Sequence, residues 1–100
     1  MRFSHTTLFK RSYRKLKANE QERVDRALRL LGQSPQYAFH PGLSVHKLGG
    51  VRGTSTKKER PAPEVWEMHA SDALPVTFQY EVDEILLRNC GPHEQVLRCP

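Results

Sequence analysis

Residues 64–89, EVWEMHASDALPVTFQYEVDEILLRN, hold three runs of period-two alternation separated by two short breaks. Alternation at period two is the signature of strands with one buried face. The runs are Val65–Ala70, Val76–Glu81 and Glu84–Asn89, with EVDE (81–84) as the tight turn between the second and third. Strands joined this closely pair antiparallel, because a parallel pair needs a crossover of a dozen or more residues. A quarter of the chain is therefore committed to a meander that needs something to cover one face.

The N-terminal third supplies the cover. Thr6 or Thr7 caps a helix running to about Lys17, with Leu8, Phe9, Tyr13 and Leu16 on one stripe and Lys10, Arg11, Arg14, Lys15 and Lys17 elsewhere. Asn19 opens a second helix, with Glu22 placed as in a capping box, Val24, Ala27, Leu28 and Leu31 on its apolar face, and Gly32 suited to its C-cap. The short link makes the pair an antiparallel hairpin. Met1 to Ser4 reads as a short strand and LSVHKLGG (43–50) as another, with Leu43, Val45 and Lys47 on one face and Ser44, His46 and Leu48 on the other. Residues 49–63 carry glycines, prolines and four basic residues, and read as a long mobile basic loop. The expectation is one α+β domain over residues 1–100, in the order β-α-α-β-β-β-β, with the helices on one face of the sheet.

Charge is divided along the chain. Residues 1–60 hold fourteen Lys/Arg and four Asp/Glu, and residues 61–100 hold two and seven, for a net charge of +5. A basic half of this kind is an electrostatic footprint for phosphate or for an acidic protein. Cys90 and Cys99 form no CxxC pair and no zinc-ligand pattern, and are expected to be free thiols in the cytoplasm. No apolar run approaches the ~20 residues of a membrane span, and MRFSHTTLFKRSYRK has no apolar core of a signal peptide.

Within the first strand of the meander, Trp66 and Met68 alternate with Glu67 and His69. If the former face the helices, a carboxylate and an imidazole share the other face about 7 Å apart. Imidazole exchanges protons near neutral pH. His46 lies on the preceding strand and His93 follows the last strand in CGPHEQV. Convergence of His46, His69 and His93 on one groove lined by Lys47, Arg52, Lys57 and Lys58, with Glu67 on the strand face of His69, suits acid–base cleavage of a phosphodiester without metal or cofactor. His40, in HPG, reads as a turn residue. GGVRGTSTKK lacks the GK[ST] end of a phosphate-binding P-loop.

In order along the chain, FKRSYRKL, QERVDRALRLLGQSP, HPGLSVHKLGG, VWEMHAS and VTFQYEVDEILLRNCGPHEQVL resemble the RelE/ParE superfamily of bacterial type II toxin–antitoxin systems. The resemblance covers nearly the whole chain and rests on the ordered set of segments. It implies a small α+β toxin with a curved antiparallel sheet. It further implies metal-independent cleavage of mRNA, often on the ribosome, through attack by the ribose 2′-hydroxyl, and neutralisation by an acidic or amphipathic antitoxin. Carried over residue by residue, His46 and Lys47 match the first basic positions of the sheet, Glu67 and His69 the carboxylate and imidazole positions, and His93 the C-terminal histidine. Two positions depart from the pattern. Pro75 stands where many relatives have an arginine for the scissile phosphate, with Arg52, Arg60 or Arg88 as substitutes, and LRCP carries no terminal aromatic. These departures keep open a non-catalytic relative, either a ParE-like blocker of a topoisomerase or a toxin that only binds its antitoxin. A general RNA-binding domain is the third reading.

Overall fold

The computed structural model describes residues 2–34, 39–53 and 63–100. The elements are β1 (Arg2–His5), α1 (Thr7–Arg14), α2 (Ala18–Gln33), a 3₁₀ turn (Pro41–Leu43), β2 (His46–Arg52), β3 (Glu64–Ser71), β4 (Leu74–Tyr80), β5 (Glu84–Cys90) and α3 (His93–Arg98). The strands form one sheet in the order β1-β5-β4-β3-β2. The β2–β5 meander is antiparallel throughout, and β1 adds to its edge parallel to β5.

Local chemistry fixes the helix starts. The Thr6 side-chain oxygen accepts the Phe9 amide at 3.0 Å, satisfying a donor of the first turn, while its hydroxyl donates to the Arg88 carbonyl at 2.7 Å. One threonine thus caps α1 and ties it to β5. Arg11 and Arg14 lie in the last turn of α1, where the macrodipole favours cations. The second helix begins earlier than expected. Its capping carboxylate is Glu20, which accepts the Lys17 amide at 2.9 Å, and Asn19 lies inside the first turn. Nor is Gly32 a cap. It sits in the last turn of α2, where a Cβ would stand 3.1 Å from the Phe3 ring, so it admits the close approach of β1.

Phe9, Val24, Ala27 and Leu31 from α1 and α2 bury against Met68, Leu74, Val76, Phe78, Ile85, Leu87 and Cys90 from the sheet. Phe39 extends this core toward the β2 edge, with ring centroids 5.2 Å from Trp66 and 6.4 Å from Phe78. Each fully buried large side chain contributes roughly 1.5–3 kcal/mol. Between the helices, the Tyr13 hydroxyl donates to Asp25 at 2.7 Å, and burial together with this bond pushes its pKa up to about 12.

Beyond the helix termini, the structure departs from the sequence expectation in three places. The strand after HPG begins at His46, because Pro41–Leu43 form the 3₁₀ turn and Ser44 adopts a left-handed conformation at φ 49°. The same strand runs on through Gly49–Arg52, which the sequence assigned to the loop, and residues 54–62 of that loop lie outside the described residues. The third departure is α3. It has only six residues and one buried apolar side chain, Val96, so it carries no periodic signal. Gly91, at φ 132°, makes the sharp entry into it. Among the described residues no helix is long and apolar enough to cross a membrane.

Candidate active site

The sheet face turned away from α1 and α2 was expected to be uncovered. In fact Val65, Thr77 and Gln79 on β3 and β4 are fully buried, and Glu67 is 5% exposed. A buried carboxylate needs hydrogen-bond or charge partners. Glu67 has two imidazoles on one oxygen: Oε1 lies 3.4 Å from His46 Nε2 and 3.3 Å from His69 Nε2.

Sheet geometry produces this arrangement. His46 on β2 is the cross-strand partner of Glu67, and His69 lies two residues beyond Glu67 on the same face of β3. The His46 and His69 ring centroids are 5.9 Å apart. His93 comes from the far end of the chain. It is the first residue of α3, and its ring centroid lies 5.7 Å from that of His69. Three imidazoles from β2, β3 and α3 therefore stand in file, with His69 in the middle and Glu67 beneath the first two.

The outer rings are held by backbone oxygens, which can only accept. His93 Nε2 donates to the Asp72 carbonyl in the β3–β4 turn at 2.7 Å. In the neutral ring this leaves Nδ1 with a free lone pair, a proton acceptor at the surface. His46 Nδ1 faces the Ser44 carbonyl at 3.4 Å, aimed by the left-handed turn at Ser44. His69 is the more enclosed ring of the His46–His69 pair, with 23% of its side chain exposed against 51% for His46.

The basic residues expected here are placed differently. Lys47 pairs with Trp66 across β2 and β3, so it belongs to the opposite face. Its Nζ lies 3.0 Å from Glu64 and 5.3 Å from the Trp66 ring centroid. Arg88 donates from Nη1 to Gln79 at 2.6 Å and from Nε to the Pro100 carbonyl at 3.2 Å. Burial lowers the pKa of its guanidinium, which still leaves it protonated at neutral pH. The backbone of Arg52 closes β2 opposite Glu64, while Lys57, Lys58 and Arg60 lie outside the described residues. Pro75 is buried directly across from His69 in the β3–β4 register, and it offers neither charge nor amide donor there.

A cavity of about 110 Å³ opens beside His69, lined by Arg23, Arg26 and Leu30 of α2, by His40 and by Ala70 among others. Arg23, Arg26 and His40 had not been singled out as site residues. The available signal was two arginines three apart on a helix followed by the HPG turn, which reads as an ordinary solvated face. Among the described residues no group of three or more His, Cys, Asp and Glu side chains is arranged to hold a metal ion.

No protein-family model and no curated protein matches the sequence. Solved structures do match. YafQ from E. coli strain BL21(DE3) superposes with a TM-score of 0.68 at 10% identity, over 96% of this chain and 98% of that one. A chain of the RelB–RelE antitoxin–toxin complex from Methanococcus jannaschii gives 0.65 at 9% identity, over 98% and 96%. YoeB from Staphylococcus aureus, solved as a dimer, gives 0.65 at 9% identity, over 93% and 97%. From the edge strand to the last helix, the fold of this chain is that of the RelE-like toxins.

Proposed function

We propose that this chain is the toxin of a toxin–antitoxin pair and an endoribonuclease that cuts mRNA by proton transfer between histidines. The observation that carries this reading is the file His46–His69–His93 over the buried Glu67. A structural sheet has no use for three imidazoles at 5.9 and 5.7 Å spacing with a shared carboxylate.

His93 Nδ1 takes the proton of the ribose 2′-hydroxyl. The O2′ so activated attacks phosphorus in line, and the bond from phosphorus to O5′ breaks. His69, as an imidazolium, gives its proton to the departing O5′. The products are a 2′,3′-cyclic phosphate and a 5′-hydroxyl end. Glu67 orients His69 and His46 and balances their positive charge, and Arg52, Lys57 and Lys58 are candidates for the phosphoryl oxygens. The antitoxin is an acidic chain that meets the basic N-terminal half, as RelB accompanies RelE in the M. jannaschii complex.

Induced expression with primer extension on a translated message tests the reading. Cut message and arrested translation are expected. His69→Ala and His93→Ala should each lower cleavage by about 10²–10⁴. Growth arrest with the message intact would remove the nuclease. Pro75 across from His69 favours one alternative, a relative that binds its antitoxin and does not cut. That protein would leave growth and message untouched and still co-purify with the antitoxin.

A further inference from the structure

We infer that Arg23, Arg26 and His40 form a second phosphate subsite beside His69, one that holds a neighbouring phosphodiester of the bound RNA. The inference deepens the nuclease reading and rests on it for the identity of the RNA. The anion chemistry stands on the cavity alone.

Arg23 and Arg26 are three residues apart, so they share one side of α2 with Ala27 and Leu30. That stripe flanks the core stripe Val24, Ala27 and Leu31, which seats α2 on the sheet. The core therefore fixes where the two guanidinium groups emerge, beside the cavity whose lining also includes His69 and Ala70. In the same lining, His40 Nδ1 accepts the Gly42 amide at 3.0 Å. Its ring proton consequently sits on Nε2, which makes the outer edge of this ring a donor.

Among the described residues the lining offers two guanidinium forks and an imidazole N–H, includes His69, and holds no carboxylate. Two carboxylates lie near on the same helix, Glu22 and Asp25. Asp25 accepts the Tyr13 hydroxyl, and among the described residues neither Arg23 nor Arg26 forms an ion pair. Planar donors around a cavity without a counter-charge are a match for phosphate oxygens, to which arginine binds bidentately. The position also bears on Pro75. Pro75 puts no cation on β4 opposite His69, whereas the arginines of α2 line a cavity that His69 also borders.

The test uses the full chain and two probes. Inorganic phosphate, titrated against chloride at matched ionic strength, should shift the His40 ring resonances saturably by NMR. Arg23→Gln with Arg26→Gln should abolish the shift, and Arg26→Gln alone should weaken it if the double variant folds poorly. Binding of a 2′-O-methyl RNA, which has no 2′-hydroxyl to attack, is then followed by anisotropy against salt. The double variant should flatten the slope of log K against log salt by about 0.7 for each phosphate that the arginines no longer neutralise. A His40 signal indifferent to phosphate, or an unchanged salt slope, overturns the subsite. So does a glutamate-rich peptide that shifts His40 while the RNA fails to compete, which would give the cavity to an acidic protein. Phosphate and RNA bound here by a protein that cuts no message would uphold the subsite while removing the nuclease reading.

Discussion

The two faces of β3 share one backbone and end in different chemistry. Trp66 and Met68 point into the layer beneath the helices, where their apolar neighbours are Phe78, Val76 and Phe39. Glu67 and His69 point the other way, into a face that is nearly as enclosed, yet here a carboxylate, Thr77 and Gln79 are buried beside Val65 and Pro75. Apolar burial stabilises without specifying partners. Polar burial demands a partner for every group, and Glu67 finds its partners in two imidazoles. The first face holds the fold together. The second uses that rigidity to keep three rings in file.

Adjacent substitutions should separate the two faces most sharply. Met68 is fully buried, and Met68→Ala should cost about 2–5 kcal/mol of stability by urea unfolding. His69→Ala, one residue on, should cost less, about 1 kcal/mol, because Glu67 keeps His46 as a partner, while lowering RNA cleavage by about 10²–10⁴. If His69→Ala unfolds the protein as Met68→Ala does, the second face is a core like the first, and the contrast fails.

What the sequence made legible follows the same division. The apolar face announced itself by period two in β3, β4 and β5 and by helical stripes in α1 and α2, since many residues repeat one preference. Single polar residues repeat nothing. Alternation already put Lys47 opposite to His46, and grouping it with the histidines followed nearness along the chain, not facing. The helix α3 was missed because six residues with one buried valine give no period to detect, so His93 was placed after a turn and not at a helix start. Arg23 and Arg26 escaped notice because nothing in the sequence tells a solvated arginine from one at the rim of a cavity.

A smaller effect tests whether Glu67 acts through the rings. Glu67→Gln keeps the shape and removes the charge beneath His46 and His69. It should lower kcat about 10–100-fold with KM little changed, since positioning of the proton donor is realised in the transition state. The stronger reading comes from a double-mutant cycle. If the carboxylate works through His69, Glu67→Gln in a His69→Ala background should cost almost nothing further. Additive losses would show that Glu67 meets the substrate independently.

The smallest effect contrasts the two cysteines, which sample the two environments with one chemistry. Cys90 pairs with Val76 across β4 and β5 and lies in the helix-covered core, and burial pushes its thiol up to about 12. Cys99, past the end of α3, is exposed. Ellman's reagent should therefore titrate one thiol in the native protein and two in denaturant. The linkage has a definite sign. The unfolded chain releases the Cys90 proton near ~8.5, whereas the folded protein keeps it until about 12. Between those values the native state binds more protons, so the stability owed to a neutral Cys90 is fully present below the lower value and drains away as pH rises toward the upper one. Cys90→Ala should leave a cavity and lower stability at neutral pH, and it should also flatten the alkaline fall. Equal reactivity of both thiols in the native protein would mean that β5 opens readily at its end, and the apolar face would then be the looser of the two.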